Sequence, residues 1–148
     1  MRLRRFSEIA AASEIEYRQL VDSAPEAIVL LNIDTGRFID VNPQTERLLG
    51  YTMKELLEIG PVNISPAQQE GGRDSAELAR EYIARAIGGE TPVFEWLHLS
   101  REGVVVPCEV RLHRLETPDG IFVRGTMIDI RERRKAQAII QSLALYDN

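Results

Sequence analysis

The chain predicts an α+β domain: one antiparallel sheet with short helices on one face, flanked by amphipathic helices at both ends. Three observations predict it. Two β-rich runs follow an N-terminal helical pattern. The second run, "FIDVN", stops at Asn42-Pro43 and gives way to helices too short to stand alone. The last third then returns to strands in the order of a three-stranded meander.

Each element has a chemical reason. Over residues 3–22, Phe6, Ile9, Ser13, Tyr17 and Leu20 recur at steps of three and four, an apolar stripe among Glu and Arg. Asp22-Ser23-Ala24-Pro25 ends it, and "EAIVLLNIDTGRFIDVN" reads as a hairpin turning at Asp34-Thr35-Gly36. Asn42 is suited to cap a new helix and Pro43 fits its first position, where no donor is needed. Gly50 marks that helix's end, and Thr52 with Glu55 restarts the chain as a capping box. Asp74 and Glu77 repeat the pattern before "SAELAREYIARAIGG", whose Ala76, Ala79, Tyr82, Ile83, Ala86 and Ile87 share a face. The stretch "EIGPVNISPAQQEGGR" between these helices is irregular, with at most one helical turn.

"PVFEWLHLS" and "VVVPCEVRLHRL" flank a three-residue hairpin loop, Arg101-Glu102-Gly103, and "TPDG" turns the chain into "IFVRGTMIDI". From Arg131, "RERRKAQAIIQSLALYDN" steps by three and four again, a second amphipathic helix that could begin a coiled coil. The expected organisation is an N-terminal helix (1–22), a central domain (23–130) and a C-terminal helix (131–148).

Composition narrows the function. The 148 residues suit one domain, and the single cysteine, Cys108, excludes an internal disulfide. With 18 Lys and Arg against 23 Asp and Glu, a net charge of -5, the chain lacks the basic balance of a nucleic-acid binder. The longest apolar run, "AIVLL", is too short for membrane insertion, and the default location is cytoplasmic. No nucleophile–base motif, zinc motif or phosphate loop occurs, so this segment reads as non-enzymatic.

In this order and spacing, "FIDVNPQTERLLGYTMKELL", "GGETPVFEWLHLSREG", "VPCEVRL" and "GTMIDIRERRKAQ" resemble a PAS domain over nearly all of residues 16–136. The resemblance implies a five-stranded antiparallel sheet cradling short helices around a cavity, in a sensory module joined to an output domain. At the C-terminal edge, Asp129 and Ile130 match the family's Asp-Ile-Thr-like triplet, with Arg131 in place of the hydroxyl residue. That makes Asp129 and Ile130 the implied signal relay. "LALYDN" resembles the segment that opens GGDEF-type diguanylate cyclase domains, so a cyclase is the expected output and cyclic di-GMP its product.

Strand alternation gives the candidate pocket. Val106, Cys108, Val110 and Leu112 share one face of their strand; pairing across the hairpin brings Phe94, Trp96 and His98 to that face, opposite Val110, Cys108 and Val106. In the last strand Ile121, Val123, Gly125 and Met127 form the inner set. Tyr82, Phe94, Trp96, His98, Cys108, Val110 and Met127 are thus the candidate lining of a ligand cavity. A filled core, with Trp96 packed and His98 bonded to a backbone carbonyl, accounts for the same residues.

The resemblance also bears on cofactors. The region "PVNISPAQQEGG" lacks the reactive cysteine of photoreactive flavin relatives, and the long helix lacks the histidine of haem-binding ones. A noncovalent flavin beside Trp96 stays open, and the signal itself is unknown. Cys108, on the inner face between Pro107 and Glu109, reads as a small buried residue more than a redox sensor. Leu97 and Leu99 on the outer face form an apolar patch that the N-terminal helix, the chain's own or a partner's, is expected to cover. Phe6, Ile9, Leu97, Leu99, Ile140 and Leu143 are the candidate interface of a parallel homodimer.

Overall fold

The computed structural model describes residues 11–146. Phe6 and Ile9 therefore lie outside the described residues. Helix α1 (Ala11–Ser23) precedes strands β1 (Ala27–Asn32) and β2 (Phe38–Val41), helices α2 (Pro43–Leu49) and α3 (Met53–Leu56), and a 3₁₀ turn (Pro61–Ile64). Helix α4 (Ser75–Ile87) leads into strands β3 (Val93–Leu99), β4 (Val105–Thr117) and β5 (Gly120–Asp129), and α5 (Arg131–Tyr146) completes the chain. The five strands form one antiparallel sheet in the order β2-β1-β5-β4-β3. This is the predicted α+β architecture.

The abrupt exit from β2 is built on Asn42, which is fully buried. Its Oδ1 accepts from the Ile28 amide at 2.9 Å, the Thr45 amide at 3.2 Å and Thr45 Oγ1 at 2.9 Å. Its Nδ2 donates to the carbonyls of Val21 at 2.9 Å and Glu26 at 3.0 Å. One amide side chain thus caps α2, extends the β1–β2 ladder and holds the end of α1. Gly50 closes α2 at φ 78°, a left-handed backbone that glycine adopts without a side-chain clash. Thr52 and Glu55 complete the capping box of α3, and Asp74 caps α4 by accepting from the Glu77 amide at 2.9 Å.

The main core fills the space between the sheet and the helices: Val29, Leu31, Phe38, Leu49, Leu56, Ile64, Ala79, Trp96 and Val110 are among its buried members. On the other face Leu30 and Phe122 form a small second cluster with Ile39 and Leu115. Helix α1 docks near the β1–β2 side of that face, with Val21 buried and Arg18 3.7 Å from the buried Asp40 carboxylate. It does not dock over Leu97 and Leu99, so the chain's own helix is not the cover that the sequence offered as one option, because β3 lies at the opposite edge of the sheet. Those two leucines are half-buried in the chain itself.

The β3 edge has a cover of its own. Gln69 Oε1 accepts from the Leu97 amide at 2.7 Å, and Gln69 Nε2 donates to the Leu97 carbonyl at 3.1 Å and to Ser75 Oγ at 2.9 Å. The loop before α4 thereby lays an amide along the edge strand as a neighbouring strand would.

Candidate functional site

The β3–β4 hairpin has the register its loop predicts. Ser100 and Val104 close the turn, with Gly103 at φ 83°, so Phe94 faces Val110, Trp96 faces Cys108 and His98 faces Val106. Trp96 and His98 are each 5% exposed and point with the inner face toward the helices. Tyr82 of α4 stacks on Phe94 at 3.7 Å between ring centroids, and Trp96 meets both rings edge-on.

Beside this aromatic group lies an apolar cavity of about 60 Å³. Tyr82, Phe94, Trp96, His98 and Val110 line it, as do Val29, Leu31 and Phe38 from the first hairpin, Pro61, Ala79 and Ile83 from the helical layer, and Leu112, Val123 and Gly125 from the late strands. Two candidates do not line it. Cys108 is fully buried in the packed core at the α5 end of the sheet. Met127, two residues before the end of β5, lines a separate surface cleft with Gln44, Arg47, Leu48, Asp129 and Arg131. Alternation places both on the correct face but does not say how far along the strand the cavity extends. The residues that sequence reasoning missed come from β1, β2 and the 3₁₀ turn; the period-two pattern of "AIVLL" was their available signal.

The polar groups of the wall differ sharply. Trp96 Nε1 donates to Ser65 Oγ at 2.9 Å, and that hydroxyl donates to the Pro61 carbonyl at 2.7 Å, so the indole is locked. Neither nitrogen of His98 completes a hydrogen bond. Burial lowers its pKa to about 4, against a weaker upward pull from the Ile64 backbone, and the ring is neutral at pH 7. The Ile64 backbone still acts on the ring, so the filled-core reading of His98 stands beside the ligand one.

Burial, with the Asp129 charge adding to it and Arg131 opposing, pushes the Cys108 thiol up to about 12. Such a thiol is not poised to react at neutral pH. His98 and His113 fall on opposite faces of the sheet, and among the described residues no group of three or more His, Cys, Asp or Glu could hold a metal. A flavin does not fit this interior: pockets for ligands of that order run to about 300–1,000 Å³, and among the described lining residues only His98 has buried side-chain nitrogens without a hydrogen bond.

The sheet connects the cavity to α5. Strand β5 contributes Val123 and Gly125 to the wall and ends at Asp129. The Asp129 carboxylate accepts from the Arg131 amide at 2.9 Å and from Arg131 Nη2 at 2.7 Å. Burial alone would raise its pKa, but these bonds outweigh it and hold the carboxyl below its ordinary value. Ile130 is buried, and its amide donates to the Pro107 carbonyl. Arg134 then bonds Glu95 of β3 at 2.6 Å and Glu70 at 2.8 Å. Beyond this root, Ile139, Ile140, Leu143 and Leu145 are all exposed. No helix of the described residues is long and apolar enough to cross a membrane.

Comparison with known proteins gives consistent matches. The profile of the PAS fold matches residues 21–135. The sensor histidine kinase TmoS of Ectopseudomonas mendocina is 23% identical over 148 residues, which are 96% of this chain and 14% of that protein. The methyl sulfide methyltransferase-associated sensor of Methanosarcina acetivorans is 24% identical over 125 residues, 84% of this chain and 12% of that protein. The chain thus spans about one seventh or less of the length of these relatives. Among solved structures, a domain of a sensory box sensor histidine kinase/response regulator from Geobacter sulfurreducens superposes with a TM-score of 0.62 at 30% identity, covering 79% of this chain and 94% of that one.

Proposed function

This chain belongs to the PAS fold family, and from that membership we propose that it is the sensory module of a larger signalling protein, coupling occupancy of its cavity to the helix that leaves the sheet. The observation that carries the proposal is the double duty of β5, which walls the cavity at Val123 and Gly125 and holds the root of α5 through Asp129 and Arg131. A ligand shifts such an equilibrium only as far as it binds the two helix arrangements unequally. A molecule pressing on Gly125 or Val123 satisfies that requirement if it moves the strand. The segment itself performs no chemistry in this reading, and its setting is cytoplasmic.

The output that the relatives support is a histidine kinase. The diguanylate cyclase suggested by "LALYDN" rests on those residues alone. The experiment is the same for both: replace Asp129 with Ala in the full-length protein and measure output, as phosphoryl incorporation or as cyclic dinucleotide formed. A changed ratio of stimulated to basal activity is expected. Unchanged basal and stimulated activity counts against Asp129 as the relay.

A second reading, a ligand-free dimerisation adaptor, draws on the smallness of the cavity and on the exposed Ile139, Ile140 and Leu143 of α5, which suit a parallel helix pair. Native mass measurement together with titration of cavity ligands separates the two: a constitutive dimer that binds none favours the adaptor.

A further inference from the structure

We infer that the cavity recognises a small neutral molecule with an apolar body and a single hydroxyl, and that the His98 imidazole is its recognition group. This rests on the reading of the cavity as a sensing chamber and says what enters it. Both nitrogens of His98 are buried and without a hydrogen-bond partner, and the ring forms part of the chamber wall. Buried polar atoms are rarely left unpaired, because the lost bond is not replaced by water. Of the other polar side chains in the wall, the indole N–H is already committed to Ser65 and the half-buried Tyr82 ring is stacked on Phe94.

The chemistry of the group follows from the ring. A neutral imidazole carries one donor nitrogen and one acceptor nitrogen, and a hydroxyl satisfies either of them. A charged ligand finds no counter-charge among Val29, Leu31, Phe38, Ala79, Ile83 and Val123, which make up much of the remaining wall. The volume limits the size: about 60 Å³ is roughly the share of two waters and well under the ~150 Å³ that takes a benzene ring, so the ligand has about three heavy atoms. Water itself is a poor occupant. A buried water holds about three hydrogen bonds, and apart from His98 and Tyr82 the lining side chains are apolar or, like Trp96, already bonded. An alcohol that keeps the His98 bond and fills the rest with hydrocarbon displaces such a water favourably.

The test compares ethanol with propane, which match in size and differ in the hydroxyl. The full chain, labelled with ¹⁵N-histidine, is titrated at pH 7. Its one tryptophan, Trp96, reports binding by fluorescence, and the imidazole nitrogens of His98 report contact, with the exposed His113 as an internal reference. Ethanol is expected to bind about three- to tenfold more tightly than propane and to move the His98 resonances alone. In His98→Leu the preference is expected to vanish or reverse. Equal or tighter binding of propane by the unaltered chain would overturn the inference while leaving the sensing chamber standing. Binding of neither probe would overturn both. The unaltered chain decides the matter if the leucine variant fails to fold.

Discussion

Replacing Asn42 with Ala tests whether one buried amide organises the N-terminal half of the fold. The substitution removes bonds from three backbone groups, the Ile28 amide and the Val21 and Glu26 carbonyls, of which Val21 keeps a bond from the Ala24 amide at 3.3 Å. Thr45 is largely spared, since its amide also reaches the Asn42 carbonyl at 3.0 Å and its hydroxyl donates to the Ile28 carbonyl at 3.1 Å. Each orphaned group costs about 1–3 kcal/mol when buried; with partial access of water for the two carbonyls, the sum is about 3–5 kcal/mol. That is a large part of the roughly 5–15 kcal/mol that holds a domain of this size. Urea unfolding of both chains measures the difference. Asn42→Asp retains an acceptor for Ile28 but turns an oxygen toward two carbonyls, so it is expected to be no better tolerated. Hydrogen exchange adds a local readout, with α1 amides losing protection first. A loss below about 1 kcal/mol for Asn42→Ala, with an unchanged slope against urea, would refute the reasoning.

Two further predictions concern titration. The His98 pKa is lowered by burial from 6.5 to about 4, so its contribution to stability is present above pH 6.5 and is lost as pH falls toward 4. The gap corresponds to about 3 kcal/mol; denaturation followed across that window should show the loss in the unaltered chain and not in His98→Leu, and parallel curves would count against it. The Cys108 thiol has the opposite sign. Its pKa is raised to about 12, so stability is full below the unfolded thiol's ordinary value near 8.5 and declines as pH rises through 12. Thiol reagents at pH 8 should accordingly label Cys108 only at the rate of unfolding, and rapid labelling of the folded chain would contradict its burial.

The local rules were legible because their chemistry is local. Asn42-Pro43, Thr52 with Glu55, and Asp74 each announce a helix start, and Arg101-Glu102-Gly103 fixes the hairpin register that puts Trp96 and His98 on the inner face. Three things were not legible, each because it depends on distance across the fold. The cavity is a difference between the volumes of facing side chains, and nothing in strand alternation tells that Cys108 is packed while Val110 borders empty space. The seating of α1 follows from the sheet order, which brings β1 and not β3 beside β5. The missing partner of His98 and the Ser65 partner of Trp96 both turn on where the 3₁₀ turn at residues 61–64 places the chain that follows it.

The amide that Gln69 lays along Leu97 decides how two copies of this domain can meet. An unprotected rim of a sheet templates the addition of foreign strands, the route to fibres and to swapped assemblies. Here the β3 edge already has both backbone groups of Leu97 engaged, so growth by sheet extension is blocked at that point. Association is left to helices and sheet faces, surfaces that can slide and rotate without unravelling the scaffold. Gln69→Ala would reopen the rim, and fibre formation on standing is its expected cost.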